Sequence, residues 1–250
     1  MVGRTPAAIS GTGARIGNTS HLINVSHGDA VDPRPTDGHP APQKSVRAVL
    51  LIAALIATAA AATALWSFVL RDRFVPKRFG VVVPGKLFRS GQISRFMIAD
   101  VVQRNAIGTI IDLNGLEPGN ADQQAELDLA QAKGIRHIRF PLRGNATGEI
   151  DHYAGALAAI VESEREGRPV LVHCAAGSQR TGACVSFYRL LVRHDPPESV
   201  YRELRTYGWD PRSDQILVDY VNGHMHELAQ LLVQRHAIDR EPSPLPVLHR

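Results

Sequence analysis

From Ala48 to Leu70 the chain carries no charged residue, and only Thr58, Thr63 and Ser67 are mildly polar. No other stretch restricts the fold as strongly. As a helix rising about 1.5 Å per residue it would span roughly 34 Å, against a bilayer core of about 30 Å. A core helix of this length would keep a polar face, and this run has none. Arg47 and Arg71 close it, and Trp66 lies near one end, where interfacial aromatic residues belong. The expectation is one uncleaved transmembrane helix over residues 47–71. A secretory signal is the alternative, because Ala62-Thr63-Ala64 has the small-residue pattern of a cleavage site; the long segment before the run argues against it. Arg71, Arg73, Lys77, Arg78, Lys86 and Arg89 follow the run. Arg34, Lys44 and Arg47 precede it, diluted by Asp29, Asp32 and Asp37. The positive-inside rule then favours a single-pass membrane protein with a cytoplasmic C-terminal domain, while a signal-like N-terminus would argue the opposite.

The run divides the chain. Residues 1–46 read as a disordered tail, because Asp32-Pro33-Arg34-Pro35 and His39-Pro40-Ala41-Pro42 block regular structure. Gly11-Thr12-Gly13-Ala14-Arg15-Ile16-Gly17 mimics a dinucleotide fingerprint but follows no strand. Residues 72–238 read as one domain, and the Pro-rich residues 239–250 as a flexible tail. An apolar share of 44% supports a packed core. A net charge of +4, with no Lys/Arg run interleaved with aromatics, suits an acidic substrate or a membrane surface rather than nucleic acid. Two cysteines exclude a disulfide scaffold, and no zinc-type spacing appears, so neither metal nor cofactor is expected.

Within the domain, strands and helices alternate. Phe79–Val83 ends at the turn signal Pro84-Gly85, and 86–89 continues as an extended piece. Ser94 is the expected cap of a helix to Asn105, and Asn120 with Gln123 resembles a capping box for a helix ending at Gly134. Strands are expected at 109–113, 135–140 and 170–172. Helices are expected around Tyr153, from 181 to 194, 198 to 207 and 213 to 236. This pattern implies an α/β fold, a mostly parallel central sheet flanked by helices, preceded by the membrane helix.

The apolar strand Val170-Leu171-Val172 runs directly into His173-Cys174-Ala175-Ala176-Gly177-Ser178-Gln179-Arg180-Thr181-Gly182. It reads as strand, tight loop and helix start. Such a loop aims several backbone N–H groups, and the positive end of the helix dipole, at one point. Residues 175–180 would thus cradle a phosphate. The same field favours the thiolate of Cys174. Arg180 offers a permanently charged fork for two phosphate oxygens. Gly177 lets the backbone approach the oxyanion, Thr181 places a hydroxyl near the sulfur, and Gly182 permits close packing.

These residues meet every fixed position of HCxxGxxR[ST]G. The chain therefore resembles the cysteine-dependent protein tyrosine phosphatase superfamily, in particular the dual-specificity branch with its small bacterial and atypical members. The segments Val83-Pro84-Gly85-Lys86-Leu87-Phe88-Arg89-Ser90-Gly91-Gln92 and Ile110-Ile111-Asp112-Leu113 are similar to that branch as well. The resemblance covers residues 79–194. It implies attack on phosphorus by Cys174, a phosphocysteine stabilised by Arg180 and the loop amides, and hydrolysis by water without metal. The expected substrates are phosphorylated proteins, phosphotyrosine or dual-specificity, or small phosphomonoesters. The alternative is a non-catalytic phosphate-binding module of the same fold.

Relatives supply an Asp as general acid from a loop upstream of the cysteine. Here that stretch reads Phe140-Pro141-Leu142-Arg143-Gly144-Asn145, with Leu142 where Asp is expected. Asp151 and Glu149 are the nearest carboxylates; Asp151 also suits an N-cap, and an acid from elsewhere, or none, stays open. His173 reads as a structural orienter of the loop. Cys184 reads as a buried thiol, because a redox partnership with Cys174 lacks a CxxC. His224 and His226 do not share a helix face, which argues against a metal site with Glu227. Asp112 reads as a satisfied buried polar group.

Overall fold

The structure, a computed structural model, describes residues 43–249, so the expected disorder of residues 1–42 lies outside the described residues. Helix α1 spans Gln43–Leu65, passes through a π-helical turn, Trp66–Leu70, and runs into the short α2, Arg71–Phe74. No Gly or Pro interrupts this stretch. Val75 then turns extended (φ −129°, ψ 120°), as a residue before proline does. The helical stretch is therefore longer at both ends than the 47–71 expected. One part of it, Val46–Leu65, is long and apolar enough to cross a membrane, with a mean hydropathy of 2.4. Its large side chains, including Leu51, Ile52, Leu55 and Ile56, are exposed.

Five strands form one sheet in the order β1-β2-β5-β3-β4. They are β1 Gly80–Val83, β2 Leu87–Gly91, β3 Thr109–Asp112, β4 Arg136–Arg139 and β5 Val170–Cys174. β2, β5, β3 and β4 run parallel, but β1 pairs with β2 antiparallel, so the sheet is mixed. The connection is too short for a crossover. It turns at Gly85 (φ +68°), and Lys86 N–H closes it on Val83 O at 3.0 Å.

Alternation along the strands assigns the two faces. Leu87, Ile111, Val170 and Val172 pack with Tyr153, Leu157 and Ile160 of α5 (Ile150–Arg165) and Ala183 and Phe187 of α6 (Gln179–Phe187). Phe88, Ile110 and Leu171 face Ile98, Val101 and Val102 of α3 (Ile98–Arg104). Helix α4 (Ala121–Lys133) follows β3. Asn120 caps it by accepting from the Asp122 and Gln123 N–H groups, and Gly134 ends it at φ 66°. The Gln123 side chain bonds Gly115 O and Glu117 N instead of closing a capping box.

Four local expectations need correction. Ser94 does not cap α3 through its side chain: its hydroxyl donates to Arg73 O at 3.1 Å, and the helix starts at Ile98. The helix expected over 181–194 changes to a π-helical turn at Tyr188–Val192. The one expected over 213–236 is two, α8 Ile216–Gly223 and α9 Met225–Gln234, broken at His224, whose ring stacks on Tyr220. Residues 239–249 are not a loose tail. Leu248 is buried, and its N–H and C=O both bond the Asn222 side chain, at 2.8 and 3.0 Å. Helix α7, Pro197–Thr206, begins with Pro in its first turn, where a missing N–H costs nothing.

Candidate active site

The register places Gly91, Cys174 and the Asp112–Leu113 step side by side at the carboxyl ends of β2, β5 and β3. The loop from Cys174 to Arg180 rises from this edge. Three successive carbonyls of the loop are held from outside: Gln92 N–H donates to Ala175 O at 3.1 Å, Arg78 to Ala176 O at 2.9 Å, and Arg89 to Gly177 O at 3.1 Å. A trans peptide points its N–H opposite to its C=O. The N–H groups of Ala176, Gly177 and Ser178 are thus turned inward, and that of Gly177 lies 3.2 Å from the Cys174 sulfur.

Two glycines make this possible. Gly177 has φ +78°, and a Cβ there would fall 2.4 Å from Gly91 N. A Cβ on Gly91 would fall 2.9 Å from Ala175 O and from Ala176 C and O. Gly177 therefore lets the loop lie on β2, a packing role beyond the oxyanion approach its place in the motif implied. Gly182 packs as expected, since a Cβ there would meet Leu204 Cδ2 at 2.9 Å.

Cys174 is buried, and burial works against its thiolate. The Thr181 hydroxyl, the Arg180 charge and the N–H groups of Thr181 and Gly177 outweigh it and hold the thiol below its ordinary value. Thr181 Oγ1 also lies 3.4 Å from Ser90 O. Arg180 donates to Leu113 O at 3.3 Å, and its buried Nε has no hydrogen-bond partner among the described residues. Ala175 and Ala176 are exposed, Ser178 is buried, and Gln179 and Arg180 are half-buried. Cys184 lies buried in α6, and burial pushes its thiol up to about 12.

His173, Asp112 and Arg89 shape the loop from behind. Alternation turns His173 away from Cys174 toward α4, where its Nε2 lies 3.0 Å from Glu126 Oε1. Asp112 accepts from Arg139 Nε and from Asn114 N–H, both at 2.8 Å. Arg89 is fully buried, lies 3.9 Å from the Tyr207 ring centroid and pairs with Glu203 at 3.2 Å. Glu203 also pairs with Arg189. Sequence reasoning missed Glu126, Glu203 and the role of Arg89. One signal was available: a charged residue inside the apolar strand Leu87-Phe88-Arg89 must find a partner when buried.

Neither candidate acid caps α5 with its side chain. Asp151 is inside the first turn of α5, with Glu149 at the N-cap position. The Asp151 carboxylate is exposed and pairs with Arg235, the C-cap residue of α9. The Glu149 side chain caps nothing and is exposed. Leu142 is buried, and its N–H donates to Leu113 O at 3.2 Å, so this loop packs against the end of β3 through an apolar side chain. His224 and His226 turn to different partners, Tyr220 O and Glu241.

A family model described as DSP-PTPase phosphatase fused to NAD+ kinase matches residues 84–214. No curated protein matches the chain. Among solved structures, P. aeruginosa TpbA is similar at 23% identity, TM-score 0.51, over 64% of this chain and 91% of that one. The Siw14 catalytic core is similar at 17% identity, TM-score 0.54, over 67% and 96%. The core catalytic domain of the S. cerevisiae PP-IP phosphatase SIW14, in complex with citrate, is similar at 18% identity, TM-score 0.50, over 67% and 98%. At these identities the likeness establishes the fold.

Proposed function

This chain belongs to the DSP-PTPase phosphatase family of that model, and from this premise we propose that it is a membrane-anchored hydrolase of phosphomonoesters acting through a phosphocysteine. The observation that carries the reading is the Cys174 sulfur, favoured as a thiolate and set among inward-turned amides beside the Arg180 fork. Cys174 attacks phosphorus, the S–P bond forming as the bond to the leaving oxygen breaks. The amides of Ala176, Gly177 and Ser178 and the two arms of Arg180 take the equatorial oxygens as charge moves onto them. Water then attacks the phosphocysteine, inorganic phosphate leaves, and Cys174 returns as thiolate. Thr181 stabilises that departing sulfur. Ala175, Ser178 and Gln179 complete the cradle, and His173 supports it from below.

The substrate reading is a phosphotyrosine or dual-specificity protein substrate. The loop carries no lysine, the extra charge expected where a polyphosphorylated headgroup is bound. The exposed apolar helix Val46–Leu65 supports anchoring, and the basic residues after it favour a cytoplasmic catalytic domain from residue 72 onward. Phosphate release by the full chain in detergent, across aryl phosphates and phosphopeptides, tests the reading. Cys174→Ser is expected to abolish turnover and retain binding of phosphate analogues; turnover in that variant removes the nucleophile. The chain is expected to resist alkaline carbonate extraction from membranes, and its release removes the anchor.

A further inference from the structure

Glu126 sits in the middle of α4, fully buried. Its Oε1 lies 3.0 Å from His173 Nε2 and 3.0 Å from Nε2 of His137 on β4, and Gln92 donates to its Oε2 at 3.1 Å. A carboxylate in such a place is costly unless charge and hydrogen bonds compensate it. His173 is also fully buried and directly precedes Cys174. His137 is nearly buried, its side chain 11% exposed, and is the outermost member of the set.

We infer that Glu126 is a positioning residue for the nucleophile: its shared carboxylate anchors His173 and, through that imidazole, favours the thiolate of Cys174. The inference deepens the proposed function and rests on Cys174 being its reactive sulfur. Electrostatics agree with the geometry. Burial opposes the charge on Glu126, yet His173 and His137 hold its carboxyl down to about 2. Burial likewise opposes an imidazolium at His173, yet Glu126, then Asp112 and the Cys174 sulfur, push it up to about 9. A cation at His173 lies one residue from the sulfur, and the interaction is mutual.

Other groups face the same atoms. Arg180, Thr181 and Cys184 act from α6, Tyr153 from α5 and Arg89 from β2. Asp112, held by Arg139, stands on the far side of His173. All of them remain in Glu126→Gln, so a difference between parent and variant isolates Glu126.

The test is the pH dependence of Cys174 alkylation by iodoacetamide in the full-length protein, with the modified cysteine identified by peptide mapping. In Glu126→Gln the midpoint is expected to rise by about one unit, a roughly tenfold slower reaction at any pH below both midpoints. Glu126→Asp is expected to restore part of the shift. An unmoved or lower midpoint in folded Glu126→Gln overturns the inference. Should that variant fail to fold, the ¹⁵N shifts of His173 in the parent decide: an imidazolium at neutral pH supports the inference, and a neutral ring overturns it. Alkylation needs no turnover. A shifted midpoint without phosphate release therefore removes the proposed function alone, and phosphate release with an unmoved midpoint removes this inference alone.

Discussion

The carboxylate of Asp151 has a partner, Arg235, and that bears on how the leaving group is protonated. An acid must reach the departing oxygen, and its contribution is roughly 10²- to 10⁴-fold. The Asp151 carboxylate, on α5, would have to leave Arg235 to serve in this way. Cleavage is therefore expected to depend steeply on leaving-group pKa, with activated aryl phosphates far ahead of alkyl ones. Asp151→Asn is expected to leave that series unchanged. A loss of 10²-fold or more on alkyl substrates in Asp151→Asn would restore the residue as the acid. Arg180→Lys tests the opposite kind of residue. A point charge cannot reproduce a two-armed fork, so a severe loss of phosphate release is expected, and near-normal release removes the role of Arg180. Glu126 was not legible from its surroundings in the sequence, because a Glu in an amphipathic helix is ordinarily solvated. Only the neighbouring strand turns it into a buried partner of His173.

At the scale of elements, the loop after Cys174 depends on β2 as much as on its own residues. The end of β2 supplies Gly91, Gln92 N–H and Arg89, and the segment before β1 supplies Arg78. Gly91→Ala places a methyl group against the backbone of Ala175 and Ala176, with no flexible side chain to give way. Such overpacking costs about 1–3 kcal/mol. The loop is the part least able to shift without losing its inward amides. The expected result is a fold of lowered melting temperature with a large loss of phosphate release; full activity would show that the loop tolerates displacement. Three of the five strands, β2, β3 and β5, are buried along their whole length, and this made β3 and β5 legible as apolar runs such as Val170-Leu171-Val172. β1 was legible as a short β-branched run before Pro84-Gly85, but its antiparallel pairing was not, since the short connection decides the direction. Ser94 misled because a serine before an apolar run serves equally well as a tether, here to Arg73.

For the whole molecule, the buried pair of Glu126 and His173 links stability to pH. The Glu126 carboxyl is lowered from 4.5 to about 2, so its contribution is present above 4.5 and lost as pH falls toward 2. His173 is raised from 6.5 to about 9, so its contribution is complete below 6.5 and lost as pH rises through 9. The pair therefore contributes fully between 4.5 and 6.5. Urea midpoints measured across pH are expected to peak in that window for the parent and to flatten in Glu126→Gln. Parallel curves would show that the pair does not govern the profile. The sequence by itself determined the long apolar helix, the alternation of strands and helices, and the strand–loop–helix segment with Cys174 and Arg180. Each of these rests on local chemistry: hydrophobic period, turn residues, and a motif whose members are adjacent in the chain. Tertiary structure alone decided which groups hold the loop from behind, that Arg235 takes Asp151, and that the chain end docks on Asn222. Those partners are not adjacent in the chain, and only the tertiary packing brings them within hydrogen-bonding distance.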